Sequence, residues 1–263
     1  GNSATVSNCI DLNINENNPK DFGLRLAWGE AYPTVFALLA QNYYSSSLSS
    51  IFTVGDTNYT ASNHTRHNIE NEGDNLYGDG STGAIMSILW DLFDNTPTET
   101  HDTISMSHTS FWSLVTDSGA VTMFDFVFHY MSTQSISAQR KLGTLLSYHR
   151  IAAYDLDYTV TPGTASFSWK VGGASTNYFP NDSFDLVFCN ADQEEVFRIE
   201  YLSFSEPPSN SNVNYQYALT AAEYATIRNA CGNTFGFYVV AFQTDAPATG
   251  LYESEYITVS IPN

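Results

Sequence analysis

One carboxylate stands out by its surroundings. Glu30 sits inside Gly23–Asn42, the longest apolar run of the first half of the chain. Ala27, Ala31, Val35, Leu38 and Leu39 fall at helical spacing there, so most of the run reads as a buried helix. A carboxylate on such a helix lies at its polar edge, is buried and paired, or binds a metal. Asp91 and Asp94, three apart on a second helical pattern, share a face. That spacing suits an ion pair or a helix end. Glu70, Glu72, Asp74 and Asp79 form an acidic stretch interleaved with Gly73, Gly78 and Gly80. Calcium takes oxygen ligands from such loops, although the EF-hand spacing is absent and a solvated loop is the plainer reading. The six histidines form no ligand set: His64 and His67 lie in a polar stretch, and His129 and His149 lie on largely apolar helical patterns. Nucleophile and phosphate-loop motifs are missing, since Gly78–Gly83 reads GDGSTG, neither Gly-x-Ser-x-Gly nor a Walker sequence. Cys9, Cys189 and Cys231 make an odd count without zinc-knuckle spacing; Cys189 and Cys231 could pair, or all three could be plain thiols.

The elements that must position these residues change character near Tyr154. Before it the pattern is helical. Pro33 interrupts the Glu30 helix, which therefore starts late, near Glu30–Tyr32, or bends there. Residues 43–82 are rich in Ser, Thr, Asn, Asp and Gly, with Phe52 and Val54 as a short strand. Ser81 or Thr82 caps a helix to about Asn95, with Ile85, Ile88, Leu89 and Leu92 inward. A third helix runs from about Ser107 to Val115. A fourth follows Thr122, with Phe124, Val127, Phe128 and Met131 on its inner face. A fifth spans about Ser137 to Ile151, with Leu142, Leu145, Leu146 and His149 inward.

After Tyr154 the period becomes two. Ala165–Val171, Phe184–Phe188, Phe197–Tyr201, Val213–Leu219, Phe235–Ala241 and Ile257–Ile261 carry apolar residues at every second position, in the first run with mostly polar residues between them. Six or seven short strands in that length predict an antiparallel β-sandwich. Thr220-Ala221-Ala222-Glu223 is a capping box that opens a short helix to about Arg228. The expected fold is therefore multi-domain: a mostly α-helical N-terminal domain over 1–154 and an all-β sandwich over 155–263.

Composition bounds the function. Asp and Glu number 28 against 9 Lys and Arg, which argues against nucleic acid and anionic membrane partners. No run of 18 apolar residues is present, so no membrane span is expected. The N-terminal GNSATVSN lacks the basic and apolar regions of a signal peptide, as expected of a processed or trimmed chain. The Asn-, Ser-, Thr- and Tyr-rich composition suits a secreted or cell-surface protein. Asn58, Asn63 and Asn181 begin glycosylation tripeptides, a common pattern by chance.

Trp28-Gly29-Glu30-Ala31-Tyr32-Pro33-Thr34-Val35-Phe36 resembles the second metal helix of secreted zincin peptidases of the gluzincin kind, with Ala31 and Pro33 at positions where that pattern has other residues. Ala84–Asp94, AIMSILWDLFD, resembles a later helix of the same enzymes. The resemblance covers roughly Cys9 to Arg150. It implies that Glu30 is the third zinc ligand and that Asp91 and Asp94 support the site from behind. It also requires His-Glu-x-x-His on a preceding helix, whose histidines bind zinc and whose Glu activates water. No His precedes Glu30 and that motif occurs nowhere in the chain. The chain then belongs to a longer enzyme that cleaves protein or peptide substrates, or is a relative without the chemistry. Zinc is expected in the longer enzyme only, and no cofactor or activity in this chain alone. The Trp169, Phe237–Ala241 and Ser254–Ile261 strands resemble a fibronectin type III or related immunoglobulin-like module. The rival reading is a non-catalytic secreted binding or adhesion protein whose aromatic-rich sandwich takes an extracellular glycan or protein.

Overall fold

The structure, a computed structural model, describes residues 19–44, 78–94, 101–171, 183–203, 213–242 and 252–261. They form a mixed assembly of helices and two antiparallel sheets. The chain divides into two compact units, the described residues to Thr133 and those from Gln134 onward.

The first unit is helical. Helix α1 spans Pro19–Tyr44, α2 Thr82–Asp91, α3 His108–Ser118 and α4 Met123–Thr133. α1 continues through Pro33 instead of starting late. Pro33 is exposed, so the ring meets solvent, and the Thr34 hydroxyl donates to the Glu30 carbonyl at 2.9 Å. Leu24, Ala27, Trp28, Ala31, Val35, Leu38 and Leu39 are its buried face. α2 is buried along its length from Gly83 to Asp91, and the Ser81 hydroxyl caps it by accepting from the Ala84 N–H. Rings join the helices: Trp28 meets Phe126 of α4 at 5.5 Å, Phe36 meets Trp112 of α3 at 5.1 Å, and His108 of α3 meets Phe93 at 4.5 Å. In α4 the buried stripe is Met123, Phe126, Val127 and Tyr130, which shares only Val127 with the expected one, and Phe128 is 64% exposed. Both stripes are apolar at helical spacing, and the packing of Phe126 against Trp28 decides between them.

The second unit opens with helix α5, Ile136–Tyr148, and continues with β1 Tyr154–Thr161, β2 Thr164–Val171, β3 Ser183–Cys189, β4 Glu195–Ser203 and β5 Val213–Ala218. Helix α6, Ala221–Cys231, precedes β6 Thr234–Phe242, β7 Tyr252–Glu253 and β8 Ile257–Ser260. One sheet has the order β1-β2-β5. In the other, β4, β3 and β6 are neighbours, and β7 and β8 pair with successive parts of β6. All pairings are antiparallel. Inner faces share one core: Phe167 of β2 meets Phe237 of β6 at 4.7 Å, and Trp169 meets Phe184 of β3 at 5.3 Å. Tyr224 and Ile227 of α6 join that core. Helix α6 lies among the strands, so residues 155–263 are not an all-β body, and α5, which precedes them, belongs to the same unit.

Two further expectations are corrected. β1 is a strand that the alternation had not marked. Tyr201, expected inward with Phe197 and Ile199, is 72% exposed. The register of β3 and β4 slips between Phe184 and Leu186, which pair with Leu202 and Ile199. The extra residue turns Tyr201 out at φ 57°, and Leu202 packs on the core in its place.

Candidate functional site

α1 carries Glu30 on its solvent side. Gly29, Glu30, Pro33, Phe36 and Ala37 are exposed, and Leu26 and Thr34 are half-buried. The carboxylate makes no hydrogen bond or ion pair among the described residues. It is thus neither buried nor locally paired. Behind it, Trp28 stacks on Tyr32 at 6.1 Å and fixes the helix against α4 through Phe126. Burial raises the Tyr32 hydroxyl above its ordinary pKa.

Asp91 is the last residue of α2 and is 5% exposed. Burial, and then the neighbouring Asp94 carboxylate, push its pKa up to about 7. The two aspartates therefore share a helix end, and each has further interactions. Asp79 is buried at the entry to α2, where the Ser81 N–H donates to the Gly78 carbonyl at 3.0 Å and Gly78 adopts φ 94°. It is not part of a solvated loop. Glu70, Glu72 and Asp74 lie outside the described residues, as do Cys9, Phe52, Val54, His64, His67 and the tripeptides at Asn58, Asn63 and Asn181. Among the described residues no three His, Cys, Asp or Glu side chains group as a metal site. Glu30 by itself does not compose a zinc site, and the structure brings neither Asp91 nor Asp94 together with it in such a group. His149 is buried with its ring edge-on to Tyr148, and His108 lies against the Phe93 and Tyr43 rings.

A second cluster escaped the sequence reading. On the outer face of the larger sheet, Val187 and Cys189 of β3 lie beside Tyr238 and Val240 of β6. The Arg140 guanidinium, from α5, sits 4.0 Å over the Tyr238 ring and 5.5 Å from Tyr256, and donates to Glu253 at 2.6 Å. Burial holds the Glu253 carboxyl above its usual range although Arg140 opposes the shift. Across the sheet, Arg198 pairs with Asp185 at 2.9 Å and with Glu195 at 2.6 Å. Glu195 titrates below its usual range, first because Arg198 hydrogen-bonds to it. The only available hint was scarcity: a chain with nine cations places Arg140 on a helix whose leucines point inward.

The thiols stay apart. Cys189 faces this outer cluster, while Cys231 packs against the inner core and donates to the Cys189 carbonyl at 3.6 Å. Both are free, so the pairing considered from the sequence is not formed. Burial pushes the Cys189 thiol up to about 11, which leaves it protonated and unreactive at neutral pH.

No known family model matches this chain, and no curated protein matches its sequence. Among the described residues no helix is long and apolar enough to cross a membrane.

Proposed function

We propose that this chain is the C-terminal part of a secreted zinc metallopeptidase of the gluzincin kind. In that reading it supplies Glu30 as a ligand and α1 as one wall of the cleft in an enzyme that hydrolyses peptide bonds. The observation that carries the reading is the place of Glu30: a carboxylate exposed, and without a partner among the described residues, on a helix whose other face is locked by Trp28, Ala31 and Val35. A ligand must be both accessible and held still, and that combination supports the role. The remaining ligands would come from outside the described residues. Asp91, buried behind the same packed helices, is assigned support of the helix end. The packing of a three-stranded antiparallel sheet on a five-stranded one, whose β7 and β8 share one edge of β6, supports a fibronectin type III or immunoglobulin-like module for the second unit, with α6 between β5 and β6 as its departure from a plain sandwich.

The test is metal content and peptidase activity of the full gene product beside this chain. One bound zinc and peptide cleavage, both lost on Glu30→Gln, are the expected results. A full product without zinc or cleavage, or one indifferent to Glu30→Gln, overturns the reading. The second reading, a secreted binding or adhesion protein, draws on Tyr201, exposed and held at positive φ on the edge strand β4. It predicts that an immobilised glycan or matrix-protein panel retains the wild type and loses Tyr201→Ser.

A further inference from the structure

Helix α5 meets the edge strand of the larger sheet at three successive turns. Arg140, Gly143 and Ser147 fall on one face at helical spacing. They meet three consecutive residues. Arg140 pairs with Glu253 at 2.6 Å, with its own side chain 11% exposed. Gly143 lies against the Ser254 carbonyl so closely that a Cβ there would stand 2.3 Å from the oxygen. The Ser147 hydroxyl accepts from the Glu255 N–H at 2.7 Å and donates to the Ala153 carbonyl at 2.6 Å. These three residues lie where the edge strand is broken: β7 ends at Glu253 and β8 begins at Ile257. At the break the Ser254 N–H donates to the Val239 carbonyl, and the Ser254 hydroxyl takes the Val239 N–H, both at 2.9 Å. The Glu255 N–H leaves the ladder and is satisfied by α5 instead.

We propose that α5 is a strap, and that its release opens the outer face of the larger sheet from the β7–β8 break inward, uncovering Cys189 while the inner core stays closed. The thiol's position supports this: Cys189 is fully buried in the outer cluster, with Tyr256 packed against that cluster and Arg140 over Tyr256 and Tyr238. The inner core uses different side chains, among them Phe167, Trp169 and Phe237, and touches the opposite face of β3 and β6. The two faces can therefore open separately. Only Gln134 and Ser135 separate α5 from α4, so the strap is also the element of the second unit to which the preceding chain is joined.

The experiment uses the full chain with Cys9→Ser and Cys231→Ser, leaving Cys189 as the sole thiol. Its labelling by 5,5′-dithiobis(2-nitrobenzoate) is timed under native conditions, together with amide hydrogen exchange. Gly143→Ala and Arg140→Met are expected to raise the Cys189 labelling rate at least tenfold and to speed exchange at Val239 and Glu255. Phe167 and Trp169 amides should keep their wild-type rates. Ser147→Ala is the gentler variant should either of the others fail to fold; loss of its own hydrogen bond would speed Glu255 exchange trivially, so the thiol is the deciding readout. Equal acceleration in β2 means global unfolding and overturns the proposal. Amide changes without thiol exposure, or no change at all, overturn it too. None of these outcomes depends on zinc, so they are separable from the test of Glu30.

Discussion

The two units bury their residues by different rules. In the second unit, period-two alternation forces each strand to commit one face to the core. Ala165, Phe167, Trp169 and Val171 are all within 4% of full burial while their neighbours are partly or fully exposed. In the first unit the helices carry apolar residues around much of their circumference, so the pattern permits more than one buried face. α4 could bury Phe124 and Phe128 or Phe126 and Tyr130, and packing chooses the second pair. A slip of one residue in a strand exposes a whole core face, whereas a small rotation of such a helix exchanges one apolar stripe for another. Replacement of a core ring should therefore cost most where alternation fixes the face. Phe167→Ala removes a fully buried ring that touches Phe188, Phe235 and Phe237. It should cost about 3–5 kcal/mol in urea unfolding. A cost under about 1.5 kcal/mol would mean that the inner core collapses around the cavity and the contrast with the helices fails.

Legibility follows the same division. The Thr220–Glu223 capping box is formed as its spacing indicates, with the Thr220 N–H donating to Glu223 at 2.7 Å and the Glu223 N–H to Thr220 at 3.2 Å. The Ser81 cap and the Leu142, Leu145, Leu146 and His149 stripe were readable too, because each depends on residues within two turns. Tyr201 was misread because a bulge is set by the partner strand, which one strand's sequence does not contain. Pro33 left a late start and a bend open in the sequence, and the helix turns before it exclude the late start, because the packing of Leu24, Ala27 and Trp28 holds them in place. Arg140 was invisible as a site residue because its partners Tyr238, Glu253 and Tyr256 lie about a hundred positions away. Glu30 was legible as a candidate by residue type, and its exposure was not.

The next largest effect belongs to the buried carboxyl of the helical unit. Asp91 has its pKa raised from 3.8 to about 7, first by burial and then by Asp94. A raised folded-state value means that the protonated form is the one the fold prefers. Its stability contribution is complete below the unfolded pKa and is lost as pH rises through about 7. A shift of that size corresponds to at most about 4 kcal/mol between acid and mildly alkaline solution. Unfolding midpoints of the wild type should thus fall from about pH 5 to pH 8 more steeply than those of Asp91→Asn, which cannot ionise. Parallel pH profiles would show that Asp91 is solvated, and would remove burial as the cause.

Caps should separate the units less. Thr220→Ala breaks a reciprocal box at the start of α6, while Ser81→Ala removes a single acceptor at α2. Each should cost about 1 kcal/mol in thermal or urea unfolding, with Thr220→Ala the larger because the Thr220 hydroxyl is bonded to both the Glu223 N–H and its carboxylate. A larger loss at Ser81 would mean that the short, fully buried α2 depends on its cap more than α6 depends on its box.

The smallest effect is the most informative about the helical unit. Phe128 is 64% exposed and meets Phe124 only at a ring separation of 6.2 Å. If packing has fixed α4 with Phe126 and Tyr130 inward, Phe128→Ser removes little buried surface and should change stability by less than about 0.5 kcal/mol. Phe126→Ser, two positions away and wholly buried against Trp28, should cost several times more. Equal costs would mean that α4 samples both stripes, because a helix rotating between two apolar faces pays for either ring in proportion to the time it spends inside. The helical unit would then be the softer half of the molecule for a reason already present in its sequence: it has more apolar faces than partners to cover them.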